Sequence, residues 1–145
     1  MFEENNVIKV SENEKKTFSE FGEIKENEET EGSENLVVNT ENIDEILKRG
    51  KGILKLKKEI EVNGQKTDEI YFDFSSMSGL QYRNIIKQVE RKNKVSLQGQ
   101  PAGDIDVQAG VFAKAADIPV AIIMSDLSMK DFALMSTVTY AFLMA

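Results

Sequence analysis

Residues 53–74 read ILKLKKEIEVNGQKTDEIYFDF, and two alternating runs within that stretch set the fold. Leu54, Leu56, Ile60 and Val62 alternate with Lys55, Lys57, Glu59 and Glu61, and Lys58 alone interrupts the apolar face. Beyond Asn63-Gly64, Ile70, Phe72 and Phe74 alternate with Glu69, Tyr71 and Asp73. A period of two marks strands with one face buried, and an Asn-Gly pair between them marks a hairpin. Register then discriminates between turns. A loop of Asn63-Gly64 alone pairs 62 with 65, and hence Leu56 with Tyr71 and Leu54 with Asp73, apolar face against polar face. A three-residue loop, Val62-Asn63-Gly64, instead sets Leu54 opposite Phe72, Leu56 opposite Ile70, Lys57 opposite Glu69 and Lys58 opposite Asp68. It also places Gly64 at the left-handed position of a bulged turn. The pattern therefore predicts the bulged hairpin.

Helical signals lie on both sides of it. Upstream, Leu36-Val37-Val38 has the makings of a short strand, and Asn42 with Glu45 is a capping pattern for a helix from Ile43 to Arg49, stopped by Gly50 and Gly52. Downstream, Ser78 with Gln81 is a capping box for a helix from Gly79 to Asn93. Tyr82, Ile85, Ile86 and Val89 form its apolar stripe. Arg83, Lys87, Arg91, Lys92 and Lys94 form a basic stripe, read as a solvated face before a site for acidic partners.

A loop with Gly99, Pro101 and Gly103 follows. Asp104 then caps a helix to about Asp117, with Ile105, Ala109, Phe112 and Ala116 on one face. Pro119 suits the first turn of a short helix to Met124, and Ser128 with Asp131 opens the last helix. These elements make an α+β fold, an N-terminal β-hairpin followed by a small bundle of three or four helices. Three regions result: residues 1–35, a connector over 36–52, and an α+β domain over 53–145.

Charge separates the first region from the rest. Of 145 residues, 30% are charged and the net charge is −7. Residues 1–35 hold eleven acids against four lysines, whereas 36–145 balance fourteen of each sign. The few large apolar residues of that acidic segment, Phe18 and Phe21 among them, follow no sustained period. Ordering costs about 1–2 kcal/mol of backbone entropy per residue, so the segment is expected to be a disordered acidic tail.

Composition also narrows the chemistry. The sequence has no cysteine and no histidine, which removes disulfides, thiolate nucleophiles, imidazole acid–base schemes and Cys/His metal sites. A net negative chain gives no footprint for nucleic acid. The acidic start has no apolar core of a signal sequence. The apolar run 132–145 would span about 21 Å as a helix, short of the roughly 30 Å of a bilayer core.

Gly99 to Gly103 lacks the following Gly-Lys-Ser/Thr of a phosphate loop. Asp104 and Asp106 resemble the start of a calcium loop, but Ala109 and Ala115 stand where its glycine and glutamate belong. No catalytic, cofactor or metal residue is assigned, and a non-enzymatic role is expected.

The last helix carries Phe132, Leu134, Met135, Val138, Tyr140, Phe142, Leu143 and Met144, apolar on nearly every side. A helix of a small domain ordinarily buries one stripe. A second apolar face needs its own cover: the hairpin, another copy of the chain in a homo-oligomer, or a client protein. Phe132, Met135, Tyr140 and Phe142 are the candidate partner-binding residues, in a surface made adaptable by methionine.

The order of these pieces resembles the small tail assembly chaperones of long-tailed bacteriophages, the group that includes the Mu-like and P2-like E-type proteins. The resemblance covers about residues 53–145. It rests on the lysine-rich first strand, Asn63-Gly64, Ile70-Tyr71-Phe72-Asp73-Phe74 and Ser78-Gly79-Leu80. It continues through Phe112, Ala115-Ala116 and Ile118-Pro119 to Leu127-Ser128-Met129-Lys130-Asp131-Phe132 and Ala141-Phe142-Leu143. The resemblance implies a non-catalytic protein of the bacterial host cytoplasm. Such a protein binds the tape-measure protein, keeps it soluble and assists tail-tube assembly, with the tail-tube protein a further partner. It implies no cofactor. The alternative is a minor structural subunit retained in a phage tail or tail-like particle.

Overall fold

In the computed structural model, which describes residues 35–145, Asn63 and Gly64 both take left-handed backbone, with φ of 53° and 81°. That is the geometry of a two-residue hairpin turn, which Asn-Gly satisfies at little steric cost. Strand β1 (Lys51–Val62) pairs antiparallel with β2 (Gln65–Asp73). Val62 stands opposite Gln65, so the expected three-residue loop is not formed. The mismatch it was meant to cure is cured inside the strand. Ile60 pairs with Thr67 but Lys55 pairs with Glu69, leaving 56–59 against Asp68 alone. This bulge slides the register so that Leu54 faces Ile70 and Gly52 faces Phe72, all four buried.

The bulge exposes backbone donors that need partners. Lys57 N–H donates to both carboxylate oxygens of Asp131, at 3.0 and 2.9 Å, and Lys58 N–H donates to one of them at 3.2 Å. Nearer the start of β1, Ile53 N–H donates to Leu36 O and Val38 N–H to Ile53 O, at 2.8 and 2.9 Å. The expected strand at 36–38 is thus a single parallel bridge, Val37 to Ile53.

Helix α1 (Ile43–Arg49) forms where expected and ends at Gly50 in left-handed backbone. Its N-terminus differs from the expected cap. The Asn42 side chain makes no cap bond. It turns back instead, accepting from Asn39 N–H at 2.9 Å and donating to Val37 O at 2.7 Å. Four helices follow the hairpin. Helix α2 (Gly79–Asn93) opens with the reciprocal Ser78–Gln81 box, at 3.1 and 2.8 Å. Helix α3 (Ile105–Ala116) is capped by Asp104, which accepts from Val107 N–H at 3.1 Å. Helix α4 (Val120–Asp126) has Pro119 as its N-cap, and α5 (Met129–Met144) is capped by Ser128.

Helix α3 occupies the centre, packed against α2, α4, α5 and β2. Small residues let neighbours approach it on several sides, and Val107, Ala109, Val111, Phe112, Ala113 and Ala115 are all buried. Ile105, expected to face inward, is instead 55% exposed as the first residue of the helix, although Val107 in the same turn is buried. Phe72, Phe74 and Phe112 meet with centroids 5.1 Å (72–74), 5.1 Å (72–112) and 6.4 Å (74–112) apart, tying the sheet to α3. Full burial of such a ring contributes about 1.5–3 kcal/mol. The acidic segment expected to be a disordered tail, 1–35, lies outside the described residues apart from Asn35.

Candidate functional site

The apolar excess of α5 is largely absorbed within the domain. The helix packs against α3 on one side and against β1 and α1 on others, so the hairpin supplies its second buried face. Met135 is fully buried and therefore has no surface to offer a partner in this fold. Phe142 is half-buried, its ring stacked on Phe74 at 4.5 Å and 19°. Phe132 is half-buried against the core. Tyr140 alone of the four candidates is open, 42% exposed. The four do not form one surface, because Tyr140 lies about 140° and 160° around α5 from Met135 and Phe142 at a helical period, and Met135 is enclosed.

Open apolar surface lies instead between α2, α3 and α4. Asp117 ends α3 in left-handed backbone, and Pro119 then starts α4. Ile123 anchors α4 in the core, while Val120 and Met124, one turn apart, are left 46% and 44% exposed. Facing them across α3 are Ile85 and Val89 of α2. The floor is made of Gly110 and Ala113, residues too small to fill the space between the walls. The result is a groove of about 780 Å³. Its α3 lining runs from Asp106 to Asp117, which at the helical rise is about 16 Å, or three turns.

Gly110 is also what brings α2 close. A Cβ there would stand 2.7 Å from Ile85 Cγ2. The rim is polar. Asn93 Nδ2 donates to Asp106 at 2.6 Å, bridging α2 and α3 at one end. Lys92 and Lys114 also line the groove, and neither is in an ion pair among the described residues. Such a lining offers apolar contact ringed by a few charges. It suits side-chain capture better than proton transfer, which needs converging titratable groups.

Asp104 and Asp106, compared above with a calcium loop, act as a helix cap and as the acceptor of Asn93. Among the described residues, no group of three or more acids is placed to hold a metal ion. No single helix among them is long and apolar enough to cross a membrane. The one resolved phenol shift, at Tyr82, is upward and comes from burial.

None of the groove residues was among the four partner-binding candidates read from the sequence, although Lys92 and Asp106 had been considered in the basic stripe and the calcium-loop comparison. The available signal was the pair Val120 and Met124 on a helix otherwise held by Ile123, but its outward direction depends on how α4 turns off α3. No family model matches the chain, and no curated protein or solved structure matches it either.

Proposed function

We propose that this protein is a non-catalytic, stoichiometric chaperone of the phage or prophage tail-assembly kind that residues 53–145 resemble. It would bind the tape-measure protein in the host cytoplasm and assist tail-tube assembly. The observation that carries this reading is the open apolar groove between α2, α3 and α4. A helical client with exposed apolar stripes is insoluble alone, and a groove three turns long covers such a stripe. Helix axes pack about 8–10 Å apart when small residues line the contact, and Gly110 and Ala113 provide that floor.

Co-expression tests it. The neighbouring tape-measure protein should move into the soluble fraction with this chain. Val120→Asp with Met124→Asp, both at exposed positions, should abolish the effect while leaving the fold intact. Equal solubility with and without the chain counts against the reading.

A further inference from the structure

We propose that two copies of this chain pair through the outward face of α5, the two helices running antiparallel about a twofold axis. The pairing is independent of the groove, whose lining takes no residue from α5.

Helix α5 is packed against α3, β1 and α1, yet one stripe stays open along its whole length. Met129, Ala133, Thr137, Tyr140 and Met144 are all exposed, and at 3.6 residues per turn they fall within about 80° of one another. The stripe is about 22 Å long at the helical rise. A water-facing helix surface ordinarily carries charge, as α2 does with Arg83, Lys87 and Arg91. Residues 132–145 hold none, and Lys130 at the margin is the one exposed charge on α5. In place of charges, the stripe leaves Met129 85%, Met144 59% and Tyr140 42% exposed.

The order of side-chain sizes identifies a second copy as the occupant. Ala133 and Tyr140 stand at equal distances from the midpoint between Ser136 and Thr137, and so do Met129 and Met144. An antiparallel copy therefore sets each Tyr140 ring against an Ala133, large against small, and each Met129 against a Met144. A parallel copy would set ring on ring and leave a gap at Ala133. A twofold contact requires a patch that complements itself in this way. Thr137, beside the axis, donates its hydroxyl to Ala133 O at 2.9 Å, so its polar atom keeps a partner when water is excluded.

Covering the stripe on both copies removes roughly 1,000 Å² of surface, the low end for a specific interface. The dissociation constant should accordingly be on the order of tens of micromolar, so dilute samples hold monomer. The net charge of −7 per chain opposes association, and salt should strengthen the pair by screening that repulsion.

Sedimentation of the full chain over a concentration series tests this. Monomer should dominate at about 1 μM and dimer at several hundred micromolar. Ala133→Arg and Tyr140→Glu, both at exposed positions, should each weaken dimerisation by tenfold or more with the helical signal unchanged. The direction is read by cross-linking, because the chain has no cysteine of its own. Under mild oxidation, an equal mixture of Met129→Cys and Met144→Cys chains should form the mixed disulfide dimer, and neither variant alone should link to itself.

A chain that stays monomeric at several hundred micromolar overturns the pairing. A dimer unmoved by both charged variants, or one that dissolves as salt rises, places the contact elsewhere and overturns it too. Self-linking of each variant in preference to the mixed product overturns the antiparallel arrangement, and it does so even where a charged variant fails to fold.

Discussion

Asp131 accepts both of its closest hydrogen bonds from the backbone N–H of Lys57, 74 residues earlier in the chain, at 3.0 and 2.9 Å. At the start of α5 its own N–H is satisfied by Ser128 Oγ at 3.2 Å. One residue thus closes the helix N-terminus with its backbone and the β1 bulge with its side chain. Only 2% of it is exposed, so water cannot replace it. Bonds to a charged acceptor are stronger than neutral ones, and losing the acceptor leaves buried donors unmet.

Asp131→Ala should therefore destabilise the fold by about 1–3 kcal/mol in chemical denaturation, and Asp131→Asn by less. The distinguishing readout is amide exchange. Lys57 and Lys58 should lose protection in both variants, whereas Ser128→Ala should cost about 1 kcal/mol and leave the bulge amides protected.

Gly110→Ala sets two effects against each other. Helix propensity favours alanine by about 1 kcal/mol. The new methyl would meet Ile85 Cγ2 at 2.7 Å, and that methyl sits on a stiff β-branched side chain. Overpacking costs about 1–3 kcal/mol, so the substitution should destabilise. In an Ile85→Ala background the sign should reverse, and a double-mutant cycle by thermal denaturation checks it.

Phe142 and Tyr140 lie two residues apart but should respond differently. Phe142→Ala loses the stack on Phe74 and should cost about 2 kcal/mol, less than a full core truncation because the ring is half-buried. Tyr140→Ala removes an exposed ring and should stay within about 0.5 kcal/mol. Denaturant midpoints of the two variants decide the matter.

Lys55 and Asp68 meet at 2.7 Å beside the bulge, both in solvent. The hydrogen bond from Lys55 holds the Asp68 carboxyl below its ordinary value, and the bond to Asp68 raises Lys55 above its own. A depressed acid favours the folded hairpin above its unfolded value and loses that contribution as pH falls through the folded one. A raised base contributes below its unfolded value and loses it as pH rises through the folded one. The pair thus acts across the neutral range and fails at both extremes. In an NMR titration, Lys55→Met should return Asp68 to the ordinary carboxylate range.

Much of the local structure was legible because local chemistry fixes it. Ser78 and Gln81 specify a helix start from four consecutive residues, and the structure has it there. Asn63-Gly64 likewise requires a two-residue left-handed turn, whose preference outweighed the facing argument that favoured a longer loop. The facing argument was itself sound. Leu54 does oppose an apolar residue, Ile70, through a bulge at 56–59, inside the strand and before the turn.

The place of that bulge could not be read locally. Alternation, caps and turn residues determined by themselves that a hairpin and a set of helices would form. Each depends on neighbours within about four positions along the chain. Where the ladder breaks depended on Asp131 arriving from α5 to satisfy the freed donors. The apolar surface left open likewise followed from packing: β1 and α3 covered α5, and the turn at Asp117 to Pro119 left Val120 and Met124 uncovered. Those outcomes belong to the tertiary structure, because which donor is satisfied and which apolar face is covered depends on residues brought together from distant parts of the chain.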